Sequence, residues 1–361
     1  MVEFFFQLIK VYVGRENALN TTISNENWAE LLEMARKQAL IGVLYHAITK
    51  LPKEQRPAKP ILLQWFLLAE QIKKSNEVVN HNCVTLYSRF KIDGRSSSIL
   101  KGQGVALNYP TPLLRMPGDI DIWISGKNRK DVLSYLKSVA QVGSVTYHHC
   151  DFSFFKETPV EVHFLPTWMN NIFVHRKLCM YFKTIRNKEF SNEVLLPNEQ
   201  NKVSIATLEF NRIYLLIHIY KHLFFEGIGL RQLMDYYYIV SQQCSDEVKE
   251  NTRKAIEELG LIRFCGAVMY VLEKVFGLDK NMLIVEPNQK EGAFLLSEIL
   301  LAGNFGQFDS RIDRTKNSNI SFFISRTKRT LRFLRYYPSE VLWTPVFKIW
   351  HFFWRKYHGW I

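Results

Sequence analysis

The chain has 361 residues, 47% of them hydrophobic and 22% charged, with a formal net charge of +13. This composition excludes a disordered polymer, and at about 100 to 200 residues per domain the length allows two domains or one core with an elaborate surround. No run reaches the roughly 18 apolar residues of a membrane-crossing helix. The five cysteines are odd in number and lack a C-x-x-C pair, which excludes a zinc ribbon and points to reduced thiols in a cytoplasmic setting.

Residues 1–13 are apolar but interrupted by Glu3, Gln7 and Lys10, with no small-residue cleavage site after them, so they read as a packed helix. Leu31, Leu32, Ala35, Ala39, Leu40, Val43 and Leu44 recur at helical spacing and predict one helix over 28–50, with Asn25 or Asn27 as its cap. Pro52, Pro57 and Pro60 break the pattern before a second long helix over 61–92, which Asp93-Gly94 closes. A short strand is predicted over 97–101, a glycine-bearing turn opening a helix from Gly102, and a strand over 116–125. A helix follows over 126–140, then strands over 144–156 and 160–165 joined by a turn at Glu157-Thr158-Pro159. Beyond residue 201 the pattern is helical, with segments over 209–225, 230–242 and 255–277. The expected organisation is a helical region at 1–94, an α/β core at 95–200, a helical domain at 201–300 and a basic aromatic tail at 301–361.

The chemistry concentrates in the strand over 116–125. Side chains alternate along a strand, so Asp119 and Asp121 share one face while Ile120, Ile122 and Ile124 share the other. Ionised neighbours this close repel, which calls for a divalent cation. Mg²⁺ suits hard oxygen ligands and bound phosphates. On this view, replacing one aspartate by asparagine relieves repulsion in metal-free buffer. Glu161 and His163 likewise share a strand face opposite Val160, Val162 and Phe164. Taken alone, a D-x-D is also found in surface pairs, calcium sites and metal-dependent glycosyltransferases. His218 and His222 lie one helical turn apart without an evident third metal ligand, and Arg231 and Asp235 are spaced to form an ion pair.

From Arg311 onward eleven Lys and Arg face two acids, Asp313 and Glu340, interleaved with Trp343, Trp350, Trp354 and Trp360. Three readings of this tail are open: docking on the protein's own core, contact with a membrane surface, and binding of nucleic acid, the last least favoured. The first three tryptophans fall roughly on one helical face.

The order of these features carries a resemblance. Lys101-Gly102-Gln103-Gly104, Tyr109-Pro110 and Arg115 ahead of Asp119-Ile120-Asp121, Glu161-Val162-His163-Phe164, and the later H-x-x-x-H and R-x-x-x-D resemble the bacterial nucleotidyltransferase family labelled nucleotidyltransferase 5. That family lies within the superfamily of the DNA polymerase β type, and the likeness runs over about residues 28–277. It implies an α+β fold, with a small mixed β-sheet nucleotidyltransferase core flanked by N-terminal and C-terminal helices. It also implies Mg²⁺-dependent transfer of a nucleoside monophosphate from a nucleoside triphosphate such as ATP to a hydroxyl acceptor, with release of pyrophosphate. Asp119, Asp121 and Glu161 would hold two Mg²⁺ ions, with Mn²⁺ as a substitute. Lys101, Gly102, Gln103, Gly104 and Arg115 would hold the nucleotide, and His163, His218, His222 and Arg231 would face the acceptor. One departure stands out: the superfamily turn is commonly Gly-Ser or Gly-Gly, whereas Gln103 follows Gly102 here, leaving phosphates to backbone amides and nearby cations. The competing readings are a glycosyltransferase, which needs a larger nucleotide-sugar domain upstream, and a degenerate module that binds partners or membrane. The survival of all three acids weighs against degeneration. The implied location is cytoplasmic, with the tail at the inner face of the membrane as an option.

Overall fold

Turn geometry divides the N-terminal part into helices that the apolar periodicity alone runs together. The computed structural model describes residues 1–309, 311 and 327–360. Helix α1 (Val2–Tyr12) is followed by α2 (Asn25–Gln38) and α3 (Ile41–Lys50), which replace the single helix expected over 28–50. The break is at Ala39, left-handed at φ 55°. The Leu40 N–H bonds back to the Ala35 carbonyl at 2.9 Å, the pattern that closes a helix. Ser24, rather than Asn25 or Asn27, caps α2 by accepting the Asn27 N–H. Helix α4 (Lys59–Ile92) runs its full expected length and stops at Gly94, where φ is +73°.

The sheet follows from period-two patterning, with shorter strands than expected. The elements are β1 (Ser97–Ile99), the short α5 (Gln103–Ala106), β2 (Ile120–Ile124), α6 (Arg129–Val139), β3 (Gln141–Val145), β4 (His149–Ser153) and β5 (Val160–His163). The strand expected over 116–125 loses its beginning to Pro117 and Gly118, so Asp119 lies one residue ahead of β2. The single strand expected over 144–156 is instead an antiparallel pair, β3 and β4. Strand order is β1-β2-β5-β4-β3, parallel only between β2 and β5. After α7 (Ile172–Glu189), strands β6 (Glu193–Leu195) and β7 (Lys202–Ser204) form a two-stranded sheet joined to β1 by a bridge between Ile99 and Ile205. The fold is α+β, a small mixed sheet among helices.

The two faces of the sheet belong to different cores. Ile120, Ile122, Ile124, Val160, Val162 and Phe152 pack under the second half of α4 and under α6. The opposite face sends Trp123 against Phe182, Phe190 and Phe210 and leaves the acidic positions beside it. Helices α8 (Leu208–Phe225), α9 (Leu230–Val240), α10 (Asp246–Glu258), α11 (Ile262–Val271) and α12 (Gln289–Ala302) complete the second core. That core also takes in Phe5, Trp28 and Leu44 from the N-terminal helices. The helix expected over 255–277 is broken at Gly260, φ +69°, into α10 and α11.

The described part of the basic aromatic tail docks on this core, while its residues 310, 312–326 and 361 lie outside the described residues. In the C-terminal helix, Pro338–Tyr357, the Glu340 carboxylate accepts from Lys221 Nζ at 2.7 Å and from the Asn170 N–H at 3.1 Å. Thr344 Oγ1 accepts from the Asn170 side chain at 2.9 Å. Trp350 and Trp354 pack their edges on Tyr147, and Arg129 lies over Trp354 at 4.5 Å. The Lys221–Glu340 pair is withdrawn from water, with side-chain exposures of 4% and 2%. Breaking a buried pair strands one charge. Glu340→Gln is therefore expected to lower unfolding free energy by about 3–5 kcal/mol in urea titrations. The double change Lys221→Met with Glu340→Leu should recover most of that loss, and a single variant as stable as the wild type would show the helix end to be undocked.

Candidate active site

The parallel pairing of β2 with β5 sets Asp121 directly beside Glu161, and the antiparallel pairing of β5 with β4 sets Asp151 beside Glu161 and His149 beside His163. One sheet face thus carries an acid–imidazole cluster. His163 Nε2 donates to Asp121 Oδ1 at 2.9 Å and lies 3.5 Å from Glu161 Oε2. Lys101 Nζ sits 3.0 Å from Asp121 Oδ2. The repulsion expected between Asp119 and Asp121 is therefore answered within the protein by two cations on Asp121, whose side chain has no exposure.

These contacts set the protonation states. Burial works against the His163 imidazolium, but the bonds to Asp121 and Glu161 outweigh it and lift its pKa from 6.5 to about 9. Glu161 moves the opposite way: burial would raise it, yet the hydrogen bond and charge of His163, with the charge of Lys101, hold it at about 2. Lys101 is also desolvated, and Asp121 first and Asp119 next raise its pKa. His148 and His149 are pushed below the ordinary imidazole value by burial and then by neighbouring imidazolium charge, so both are neutral.

Asp119 and Asp121 line one cleft together with Lys101, Gly102, Arg115, His218, Arg231, Asp235 and Phe305, with the Asp121 carboxylate buried in its wall. The loop that bears the aspartates is clamped from two sides. Arg115 donates through Nε and Nη2 to the two oxygens of Asp235, both at 2.7 Å, and Tyr109 adds a third bond to Asp235 at 2.6 Å. Asn76 of α4 donates to the Leu113 and Arg115 carbonyls, both at 2.7 Å. The Arg231–Asp235 pair expected from helical spacing does not form, because Arg115 occupies the carboxylate. Arg231 instead donates through Nη1 to the Met116 carbonyl at 3.1 Å, and its buried Nε makes no hydrogen bond.

The glycine turn shows why Gln103 stands there. Its side chain is buried away from the cleft and donates to Asn76 and Asn80 of α4, tying the turn to the long helix. Gly102 is left-handed at φ +60°, and Gly104 packs on Ile205 so closely that a Cβ would lie 3.0 Å from the Ile205 Cβ. Of the two histidines on α8, His218 lines the cleft, whereas His222 Nδ1 meets Glu226 Oε2 at 3.0 Å. Neither joins a metal-ligating group among the described residues.

The donor set fits a divalent cation. One ligand atom each from Asp121, Glu161 and His163 lies within 4.8 Å of the others, and two further such groups combine His148, His149 and His163, and His149, Asp151 and Glu161. Two carboxylates and an imidazole make a mixed oxygen and nitrogen donor set, in which the carboxylates suit a hard cation and the imidazole a transition metal. Asp119 lines the same cleft without entering these groups. His148, His149 and Asp151 were missed from sequence: counting about Glu157-Thr158-Pro159 pairs Glu161 with Phe155, whereas the observed register is centred on Lys156 and sets Asp151 opposite Glu161.

The shifted imidazole makes a pH prediction. A group whose folded pKa is raised adds stability that is complete below its unfolded value and disappears as pH rises through the folded one. The thermal midpoint of metal-free protein is expected to fall between about pH 6.5 and about pH 9, with His163→Gln flattening that decline. Asp121→Asn, which strands Lys101 beside His163, should destabilise metal-free protein by about 3 kcal/mol or more, the opposite sign from relief of repulsion. A stabilised Asp121→Asn in EDTA would refute this charge balance.

No curated protein matches this chain. The model of a family described as uncharacterised nucleotidyltransferase matches residues 24–277, which includes the glycine turn, both aspartates, Glu161 and the α8–α9 wall of the cleft. The chain belongs to the uncharacterised nucleotidyltransferase family.

Proposed function

We propose that this protein is a Mg²⁺-dependent nucleotidyltransferase that moves a nucleoside monophosphate from a nucleoside triphosphate to a hydroxyl acceptor. The observation that carries the reading is the convergence of Asp121, Glu161 and His163 beside a cleft that also holds Asp119 and the cations Lys101 and Arg231. Asp119, Asp121 and Glu161 would hold divalent ions, with His163 as a further donor once it gives up its proton, and such ions neutralise triphosphate charge and acidify a bound hydroxyl.

The chain's own groups do the rest. Arg231 has an unspent buried Nε and, with Lys101 and the backbone of Gly102, Gln103 and Gly104, binds phosphate oxygens. Arg115 acts through Asp235 by fixing the aspartate loop. The acceptor oxygen attacks the α-phosphorus, the bond to the β-phosphate breaks and pyrophosphate leaves. Glu161, held ionised, takes the acceptor's proton. The wall formed by His218 and Phe305 is the acceptor side, and Phe305 is fixed there by a turn whose Gly306 lies against the Glu226 carbonyl.

The test is incubation with each α-labelled nucleoside triphosphate and Mg²⁺, using cell extract as a source of acceptors. Label should pass to a new species and EDTA should stop it. Asp119→Asn and Asp121→Asn should each slow transfer by at least about 100-fold, the scale seen when a charge-stabilising group is lost. Wild-type turnover by the double variant, or transfer from a nucleotide sugar instead, would overturn the reading.

A further inference from the structure

The C-terminal helix buries Glu340, Val341 and Thr344 in its first turns and packs Trp350 and Trp354 on Tyr147, yet it also turns a row of apolar residues to solvent, where an ordinary surface helix carries polar ones. Leu342, Val346, Ile349 and Phe353 form an outward stripe at spacings of four, three and four residues, each 50–63% exposed, and Phe352 and Tyr357 extend it at 51% and 87%. Lys356 is the charged side chain among them. The stripe continues onto the start of α7, where Phe173, 68% exposed, packs edge-on to Trp343 and Ile172 is 54% exposed. Exposed bases lie on the same elements: Arg335 just ahead of the C-terminal helix, Lys356 in its last turn, and Arg176 and Lys177 on α7.

We propose that this surface lies on an anionic lipid bilayer, with the helix parallel to the membrane plane. An apolar helix face carrying Trp, Phe and Tyr with exposed bases on the same elements is what the interface between headgroups and acyl chains accommodates. Among the described residues no helix is long and apolar enough to cross a membrane, so the contact is with the surface. Charge selects lipid over a second copy of the chain. The exposed bases Arg335, Lys356, Arg176 and Lys177 meet no exposed acid on the C-terminal helix, whose Glu340 is spent on Lys221, so a twofold interface would set like charges against each other, whereas anionic headgroups neutralise them. The proposal does not depend on the chemistry of the cleft.

The experiment is flotation of the full chain with phosphatidylcholine vesicles, with and without phosphatidylglycerol, at low and high salt. Wild-type protein should float with the anionic vesicles, and less so at high salt. Ile349→Glu with Phe353→Glu changes only outward side chains, so circular dichroism and thermal midpoint should hold while vesicle affinity falls about tenfold or more, the scale of two apolar side chains kept out of lipid. Arg335→Glu with Lys356→Glu should weaken anionic binding and erase its salt dependence. The proposal is overturned by wild-type protein that stays with the unbound fraction, or by equal flotation of the Glu variant. It is overturned equally if sedimentation velocity shows the Glu variant splitting a dimer while vesicle binding is unchanged, which would make the covering partner a second copy.

Discussion

The carboxylate of Asp121 is fully withdrawn from water, and much of the surrounding structure can be understood from that one fact. An ionised group buried without partners is expensive enough to unfold a domain, so two cations meet it: Lys101 from the end of β1 and His163 from β5. Each must arrive from a different strand, and each arrives because β2 is a central strand with β1 on one side and β5 on the other. The same arrangement leaves Glu161 ionised and His148 and His149 neutral. Acid and base character are therefore distributed over one sheet face before any substrate enters.

A site of this kind requires a rigid loop in front of β2, because Asp119 and the cleft-lining glycines lie outside regular structure. The rigidity is supplied by buried groups that spend their hydrogen bonds on one another. Gln103 and two asparagines of α4 hold the glycine turn, while Asp235 gathers Arg115 and Tyr109. Both clamps are buried, and buried polar networks with satisfied partners hold one geometry strongly. This gives α4, a helix of 34 residues, two tasks: its apolar positions cover the sheet and its asparagines fix the aspartate loop.

The C-terminal helix reaches the same region from behind. Glu340 holds Lys221, whose ammonium lies 4.5 Å from the Trp168 ring, and Trp168 packs on His148 at 4.0 Å. The docking pair and the imidazole cluster are thus separated by one indole. A segment with its own basic character is anchored beside the acid–imidazole face by a buried ion pair, while its outer side exposes an apolar stripe.

The sequence alone determined the period-two pattern of β2 and β5, and with it the shared face of Glu161 and His163 and the burial of the intervening isoleucines and valines. It also supplied the family likeness and the strongly basic tail. These are properties of local spacing and of charge, which need no knowledge of what packs where. Tertiary structure decided the partners. Asp235 is spaced for Arg231 on its own helix but bonds Arg115, because a loop more than a hundred residues away brings a guanidinium with two donors to both carboxylate oxygens. Gln103 looked like a lost phosphate contact and proved to be a tether, since only the position of α4 shows where its side chain goes. His148, His149 and Asp151 joined the site through strand register, and the tail's inner and outer faces were separated by which side met Lys221. Local spacing sets which side chains point the same way, whereas the partner of a buried charge is set by whichever opposite charge the folded chain delivers to it, and that is a property of the whole packing.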